Sequence, residues 1–467
     1  MNVSIKFLGA AGSVTGSKYL LRLDEEQILV DCGLFQGHKE LRLRNWAGLP
    51  IDISSIGTVI ITHAHIDHCG YLPRLVKDGF KGKILCTRAT AELMPIMLKD
   101  AARLQEEEAD FAYRQGYSRH SKPEPLFTVE DAEAVKNLIH GIELHHNCPI
   151  GKRASIEFFK SGHILGASSA QITLLGERQS KKIVFSGDIG RFNDPVMSDP
   201  EMFDQADAVV MESTYGDRNN PSEKVGEELA AVIHDALLRG GPIIIPAFAV
   251  GRTQVLLFHL QKLISNKEIP ELPVFVDSPM AISVTNLYER HPEWHKIEVV
   301  KDHNELISIF DSANIHYCNT SQSSKALNNL KKPCIIISAS GMCTGGRILH
   351  HLFHRLPDPS ATILFTGYQA AGTRGRDILE GTPSIKIFGQ YVGIRCQVRV
   401  VNGLSAHADQ TELLKWAGAI KKGPKKVFIT HGEPSVAKGF ADFLKQKLGW
   451  DPMIPEYQET CLLFEGI

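Results

Sequence analysis

What this 467-residue sequence lacks already excludes several classes of protein. No stretch is long and apolar enough to span a bilayer, so no membrane partner is expected. Residues 1–7 alternate polar and apolar and run into a Gly/Ser-rich loop, with no apolar run of signal-peptide length. No CxxC pair occurs among the nine cysteines, whose number is odd and whose spacing is irregular. That excludes a disulfide framework and is the pattern of reduced thiols in the cytoplasm. No charge of one sign dominates, the formal net charge being −2. A polyanionic partner would have to meet basic residues gathered in a groove, not a basic bulk. Short-period repeats and low-complexity tracts are absent too. What remains, 43% hydrophobic and 22% charged, is an ordinary globular composition. The length is too great for one compact core and suits two or three domains.

The stretch with the most chemistry is Thr62-His63-Ala64-His65-Ile66-Asp67-His68. Thr58-Val59-Ile60-Ile61 before it reads as a short buried strand, and Gly70 onward opens a helix. The cluster therefore sits at the C-terminal end of a strand, where α/β folds place their ligands. Imidazole and carboxylate are ligands that zinc accepts. His63 and His65, two apart, share one direction; Asp67 and His68, on the next turn, aim at a neighbouring spot. The bland alternative is a set of unrelated surface or capping histidines. Three histidines and an aspartate packed this tightly after an apolar strand argue against it.

Along the chain, Val3, Ile5 and Phe7 form a first strand and residues 18–23 a second. The glycine-rich loop between them reads as a tight hairpin, not a phosphate loop, because no helix follows. A third strand, Ile28-Leu29-Val30, delivers Asp31, whose better role is an outer-shell carboxylate that orients metal-bound histidines and water. A helical region over about 89–115 carries an acidic run, Glu106-Glu107-Glu108-Ala109-Asp110, read as a solvated face. Residues 118–125 read as a polar loop, and Thr128 with Asp131 as a helix start. Then a pattern repeats: an apolar strand with a ligand-type residue at its tip. It delivers His163, Asp188 and Glu212 in turn. Between about 205 and 395 strands alternate with helices, the pattern of a parallel α/β domain inserted in the chain. Val427-Phe428-Ile429-Thr430-His431 then echoes Val59-Ile60-Ile61-Thr62-His63, as in a fold of two similar halves. The expected domains are 1–204 and 396–467, together one domain, around an insertion at 205–395.

The insertion carries loops between strands and helices. Ser340, Gly341, Thr344 and Gly345 precede a helix whose first N–H groups can hold a phosphate. Arg252, Arg374 and Arg376 lie on neighbouring loops of the same kind. Ordinary βα turns with surface arginines are the competing account. A cleft between the domains, lined by these loops, would admit a single strand and not a duplex.

HxHxDH, Gly162-His163, Ser186-Gly187-Asp188, Glu212-Ser213-Thr214-Tyr215-Gly216, Ser405-Ala406-His407-Ala408-Asp409 and His431-Gly432-Glu433 follow one another in this order. The ordered set resembles the β-CASP branch of the metallo-β-lactamase superfamily nearly end to end. That branch includes the endonuclease subunit of the cleavage and polyadenylation specificity factor and its prokaryotic relatives. The resemblance implies an αββα sandwich with an inserted parallel α/β domain, in the short two-domain form. It implies two Zn2+ per chain: His63, His65 and His163 at one, Asp67, His68 and His431 at the other, and Asp188 bridging. Two such ions about 3.5–4 Å apart suit in-line attack on a phosphodiester. It further implies catalytic roles for Asp67 and Asp188, and His407 as general acid held by Glu212. His431 is the residue that RNA-directed members carry, where DNA-acting members have an aliphatic one. The implied function is endonucleolytic hydrolysis of single-stranded RNA, and the resemblance allows a homodimer. A thioester or lactone hydrolase is the alternative enzyme, which Glu212, His407 and the insertion oppose. A catalytically silent scaffold is the third possibility; it would be expected to lack ligands, and none is missing.

Overall fold

The computed structural model describes residues 1–115, 122–177, 179–220, 224–297, 300–302, 305–307, 309–330, 332–367, 369–370 and 372–467. Part of the loop expected at 118–125, residues 118–121, lies outside them. The chain forms two compact units, Met1–Asn219 with His407–Ile467, and Asn220–Ala406.

The first unit is built on two sheets. In the strand Val3–Phe7, residues Val3, Ile5 and Phe7 are fully buried while Ser4 and Lys6 are half-buried, the period of two that gives a strand one core face. It lies between Tyr19–Leu23 and the C-terminal strand Thr460–Phe464 in a seven-stranded sheet. That sheet continues through Glu26–Val30, Ile56–Ile60, Lys83–Thr87 and Ile139–Ile142, which run parallel. The second sheet has six strands, in the order Lys426–Thr430, Ala208–Glu212, Ser180–Phe185, Ser168–Leu175, Ala154–Lys160 and Cys148–Ile150. Phe7, Tyr19, Val30 and Ile60 from the first sheet meet Ile156, Phe158, Phe185 and Phe428 from the second in one apolar core. The second sheet's other face packs under Gln410–Gly418 and Pro434–Leu448 through Leu413, Trp416 and Phe440. The long helix Arg88–Gln115 packs on Lys83–Thr87 and Ile139–Ile142 of the first sheet. Helix, sheet, sheet, helix is the αββα order.

Two expected boundaries move, each for a pairing reason. The strand Ala208–Glu212, placed after the first cut at 204, pairs in parallel with Ser180–Phe185 and Lys426–Thr430 and so belongs to the first unit. The strand Gln397–Val400, placed after the second cut at 395, pairs with Thr362–Phe365 and belongs to the second unit. In that unit six parallel strands run in the order Ile315–Tyr317, Val274–Val276, Ile335–Ser338, Ile243–Pro246, Thr362–Phe365 and Gln397–Val400. Central strands covered on both faces read as unbroken apolar runs, and Ile243-Ile244-Ile245 and Ile335-Ile336-Ile337 do so.

Local details follow the side-chain chemistry. Thr128 and Asp131 form a reciprocal capping box at Val129–Val135. Glu107, Glu108 and Asp110 are exposed, whereas Glu106 accepts a hydrogen bond from Val129 N. Among the described residues no helix is long and apolar enough to cross a membrane.

Candidate metal centre

The donors of the first unit leave the C-terminal tips of strands in both sheets. His63 and His65 follow Ile56–Ile60, while Asp67 and His68 lie on the short helix Ile66–Cys69. His163 follows Ala154–Lys160, Asp188 follows Ser180–Phe185, and His431 follows Lys426–Thr430. Glu212 ends Ala208–Glu212, in register with Thr430. One ligand atom each from His63, His65, His163 and Asp188 lies within 4.8 Å of all the others. The same holds for Asp67, His68 and His431, and also for Asp188, Glu212 and His431.

The nitrogens face one another. His65 Nδ1 is 3.2 Å from His63 Nε2 and 3.1 Å from His163 Nε2. His68 Nε2 is 3.1 Å from His431 Nε2, which is 3.3 Å from Asp67 Oδ2. A tetrahedron of zinc–nitrogen bonds near 2.0 Å has edges of about 3.3 Å, so these spacings match a coordination shell. Asp188 lies between the groups: Oδ2 is 3.4 Å from His63 Nε2 and 3.5 Å from His163 Nε2, and Oδ1 is 3.1 Å from His68 Nε2. Asp188 Oδ1 is buried without a hydrogen bond. A buried carboxylate oxygen that makes no hydrogen bond yet faces imidazole nitrogens fits a cation. The donor set thus fits a metal-binding centre on this chain's own geometry.

A second layer turns the rings inward. Asp31, in the left-handed region at φ 57°, accepts from Thr62 N at 2.8 Å, and its Oδ2 is 2.8 Å from His68 Nδ1. Thr62 Oγ1 bonds Asp31 and lies 3.1 Å from His63 Nδ1. Thr214 Oγ1 lies 3.0 Å from His431 Nδ1, and His431 itself has φ 50°. Strained backbone at Asp31 and His431 marks positions that the surroundings over-determine. Thr62 and Thr214 lie within the quoted motifs, but nothing in the sequence gives them a role; the structure does. The two Thr-His pairs differ in their contacts: Thr62 Oγ1 lies by His63, whereas Thr430 Oγ1 accepts from Tyr19 Oη at 3.1 Å and leaves its neighbouring histidine to Thr214.

Electrostatics divide the rings. Burial depresses His63, aided by His68, and His65 is lowered to about 3 by burial and His63. Burial and the nearby His407 push His163 well down. The downward shift favours the neutral form of all three rings, the form that presents a lone pair. At His68 burial is outweighed by Asp188 and Asp31, and at His431 by Asp188 and Asp67, so both are raised. Asp188 and Asp67 stay ionised despite burial because of the histidines around them.

His407 completes the cluster. Its ring centroid is 4.4 Å from that of His163, and Nδ1 lies 3.3 Å from Glu212 Oε2. Glu212 is fixed by Ile189 N at 2.5 Å and Thr214 N at 3.3 Å. Burial opposes the charged imidazole, but Glu212 overrides it and holds His407 up at about 9. Tyr215 stands edge-on to His407 at 5.8 Å.

The loop residues of the second unit are mostly committed to their own structure. Ser340 Oγ accepts Thr344 N at 3.0 Å and Gly345 N at 3.4 Å, and Gly341 is buried. Arg374 donates to the carbonyls of Lys386 at 3.0 Å and Thr344 at 3.2 Å. Arg376 pairs with Glu380 at 2.6 Å, and Arg252 packs its guanidinium against Gly367.

An αββα sandwich carrying histidine and aspartate donors at its strand tips, with an inserted parallel α/β unit, defines a metallo-β-lactamase-fold hydrolase. The profile of the Metallo-beta-lactamase superfamily matches residues 12–152, the Beta-Casp domain residues 253–378, and the Zn-dependent metallo-hydrolase RNA specificity domain residues 391–455. A ribonuclease of Thermus thermophilus is 36% identical over 426 residues, covering 91% of this chain and 92% of that protein. The chain therefore belongs to the β-CASP family of the metallo-β-lactamase superfamily, and it is an enzyme. A transcription termination factor FttA of Methanosarcina mazei is 32% identical, over 96% of this chain and 69% of its own length. An RNase J-like protein of Methanocaldococcus jannaschii is 30% identical, over 97% of this chain and 98% of its own. A crystal structure of a protein of unknown function from Enterococcus faecalis superimposes with a TM-score of 0.55 at 14% identity, over 99% of this chain and all of that one, which speaks for the fold alone.

Proposed function

We propose that this chain is a zinc-dependent endoribonuclease that hydrolyses phosphodiester bonds in single-stranded RNA at a centre for two cations. His63, His65 and His163 would hold one ion, Asp67, His68 and His431 the other, with Asp188 shared. Bound there, the ions would lower the pKa of water and neutralise phosphoryl charge. The observation that carries the proposal is the convergence of donor atoms on two adjacent points, with Asp188 facing both.

The chain's own residues supply the rest. Glu212 faces His407 Nδ1, which leaves Nε2–H as the proton donor for the departing ribose oxygen. Ala408 N bonds Ile189 O at 2.8 Å and fixes the backbone beside His407. RNA is the proposed substrate because the Thermus thermophilus relative is named a ribonuclease, the matching C-terminal profile is described as an RNA specificity domain, and position 431 is histidine. In the second unit, the loop from Ser340 to Gly345 would take a phosphate by trading the hydrogen bonds of Thr344 and Gly345 N–H to Ser340 for bonds to the ligand.

The test is metal content by plasma mass spectrometry together with cleavage of labelled RNA, DNA and a thioester. We expect about two zinc ions per chain, internal cleavage of single-stranded RNA only, and loss of both on His63→Ala. RNA left intact by zinc-replete protein would end the proposal.

A further inference from the structure

The short helix Lys39–Arg44 has no buried residue, so burial of an apolar face does not explain it. Leu43 is 54% exposed and Trp46, just beyond, 51%. The other three tryptophans, Trp294, Trp416 and Trp450, are buried. An exposed leucine on a helix the fold leaves uncovered and an exposed indole just beyond it, beside exposed cations, are what a binding surface presents. The chemistry of the segment is lopsided: Lys39, Arg42 and Arg44 stand against Glu40. Lys39 and Arg42 are exposed, and among the described residues neither is in an ion pair.

The segment is nevertheless held firmly, and to the metal loop. Cys32 N donates to His68 O at 2.7 Å and Leu34 N to Ile66 O at 2.9 Å. The next residue, Phe35, is gripped by the buried Asn45 side chain, which accepts from Phe35 N at 3.0 Å and donates to Phe35 O at 2.8 Å. Two cations attend the Phe35 ring, Lys18 Nζ at 4.4 Å from its centroid and Arg44 at 5.4 Å, and Arg44 also lies 4.1 Å from the Tyr457 ring. Trp46 therefore follows a residue clamped to the strand–loop segment that buttresses Asp67 and His68.

We infer that residues 39–46 are a contact site for the RNA strand beside the catalytic cluster, with Trp46 stacking a base and Lys39 and Arg42 meeting phosphates. The inference rests on the proposed RNA substrate and deepens it. A single strand offers both bared base faces and a phosphate repeat, the two things an exposed indole next to uncommitted cations recognises. The charge balance favours this occupant over a second protein surface.

Trp46 is the one half-exposed indole, so its fluorescence reports the contact. The probe is a phosphorothioate dodecamer of uridylate titrated into zinc-loaded protein. We expect quenching in the wild type and no comparable quenching in Trp46→Phe. Trp46→Ala should weaken binding about tenfold, with Trp46→Phe recovering most of it. Lys39→Gln with Arg42→Gln should lower the slope of log Kd against log salt by about 1.4. Quenching that persists in Trp46→Phe, or a salt slope unchanged in the double variant, overturns the inference while leaving the ribonuclease proposal in place. A wild type that neither binds nor cuts RNA overturns the ribonuclease proposal and takes this inference with it. A dimer that Trp46→Ala dissociates in sedimentation, at unchanged RNA affinity, overturns the inference in favour of a protein interface.

Discussion

His407 sits among metal-type ligands without belonging to any of their converging groups, and that separates its role from theirs. Replacing it by alanine removes the proton that Glu212 holds on the ring. His407→Ala should retain zinc and lose about 10²–10⁴ in kcat, which stopped-time RNA cleavage and metal analysis read together. Loss of zinc along with activity would make His407 a structural support instead. Lys18 makes a different residue-scale point. It is fully buried, and burial lowers its pKa to about 8, with Cys32 opposing. Below pH 8 folded and unfolded chains both carry the proton, so the cost of burying the charge is present in full. Between pH 8 and the ordinary lysine value near 10.5, the unfolded chain holds a proton that the folded one has lost, and stability rises with pH. Lys18→Met should therefore raise stability at pH 7 by up to about 3 kcal/mol and flatten that rise, as chemical denaturation at several pH values would show. The contacts of Lys18 with Phe35 and Tyr71 return part of the cost. A Lys18→Met protein that is less stable at pH 7 would mean that those contacts outweigh the burial.

At the scale of elements, the loop after Glu26–Val30 and the helix Ile66–Cys69 touch backbone to backbone. A Cβ on Gly33 would stand 1.5 Å from the Asp67 carbonyl oxygen. Nothing flexible lies there to yield, so the metal loop itself must move. Gly33→Ala should cost about 3 kcal/mol or more and reduce bound zinc. Gly240→Ala is the contrast: this glycine ends Val225–Arg239 at φ 77° with nothing within 4 Å of an added Cβ. It should cost about 1 kcal/mol and leave zinc untouched. Urea unfolding and metal analysis on the two variants separate a lost close approach from a strained turn. Equal zinc content in both would show that the Gly33 contact does not hold the centre. Asp31 belongs to the same loop, and Asp31→Ala frees both Thr62 and the His68 ring. Zinc affinity measured by competition with a chelator should fall about 10–100-fold.

Over the whole molecule, the donors come from residues 63 to 431 and from both sheets of the first unit. Any cation they share ties the chain's early and late segments to one point. Stripping zinc with a chelator should lower the melting temperature by several degrees and zinc alone should restore it, because a ligand bound only by the folded state stabilises it by mass action. In His63→Ala the chelator should have a smaller effect. A melting temperature indifferent to chelator in the wild type would show that the donors converge without a stabilising ion.

How much of this is legible along the chain depends on the range of the interaction. Apolar runs ending in His, Asp or Glu identify strands and their tips, because period and burial are local properties. The alternation after Glu212 identifies the inserted parallel sheet for the same reason, and Thr128 with Asp131 declares a cap outright. Domain edges are less legible: whether Ala208–Glu212 closes one sheet or opens another depends on the partners it finds, and one of the two, Lys426–Thr430, lies more than two hundred residues away. The arginines show the same limit, since Arg374 is as basic as Arg42 but spends its guanidinium on two carbonyls.

The sequence by itself determined the donor inventory, the alternation of strands and helices and the family, because these are carried by residue types at short spacing. Only the tertiary structure decided which nitrogen of each ring faces inward, that Thr214 and not Thr430 serves His431, and that Trp46 stands exposed next to an Asn45 clamped onto Phe35. Those outcomes follow from where strands pair and backbones touch, and such contacts join residues whose separation along the chain carries no local signal.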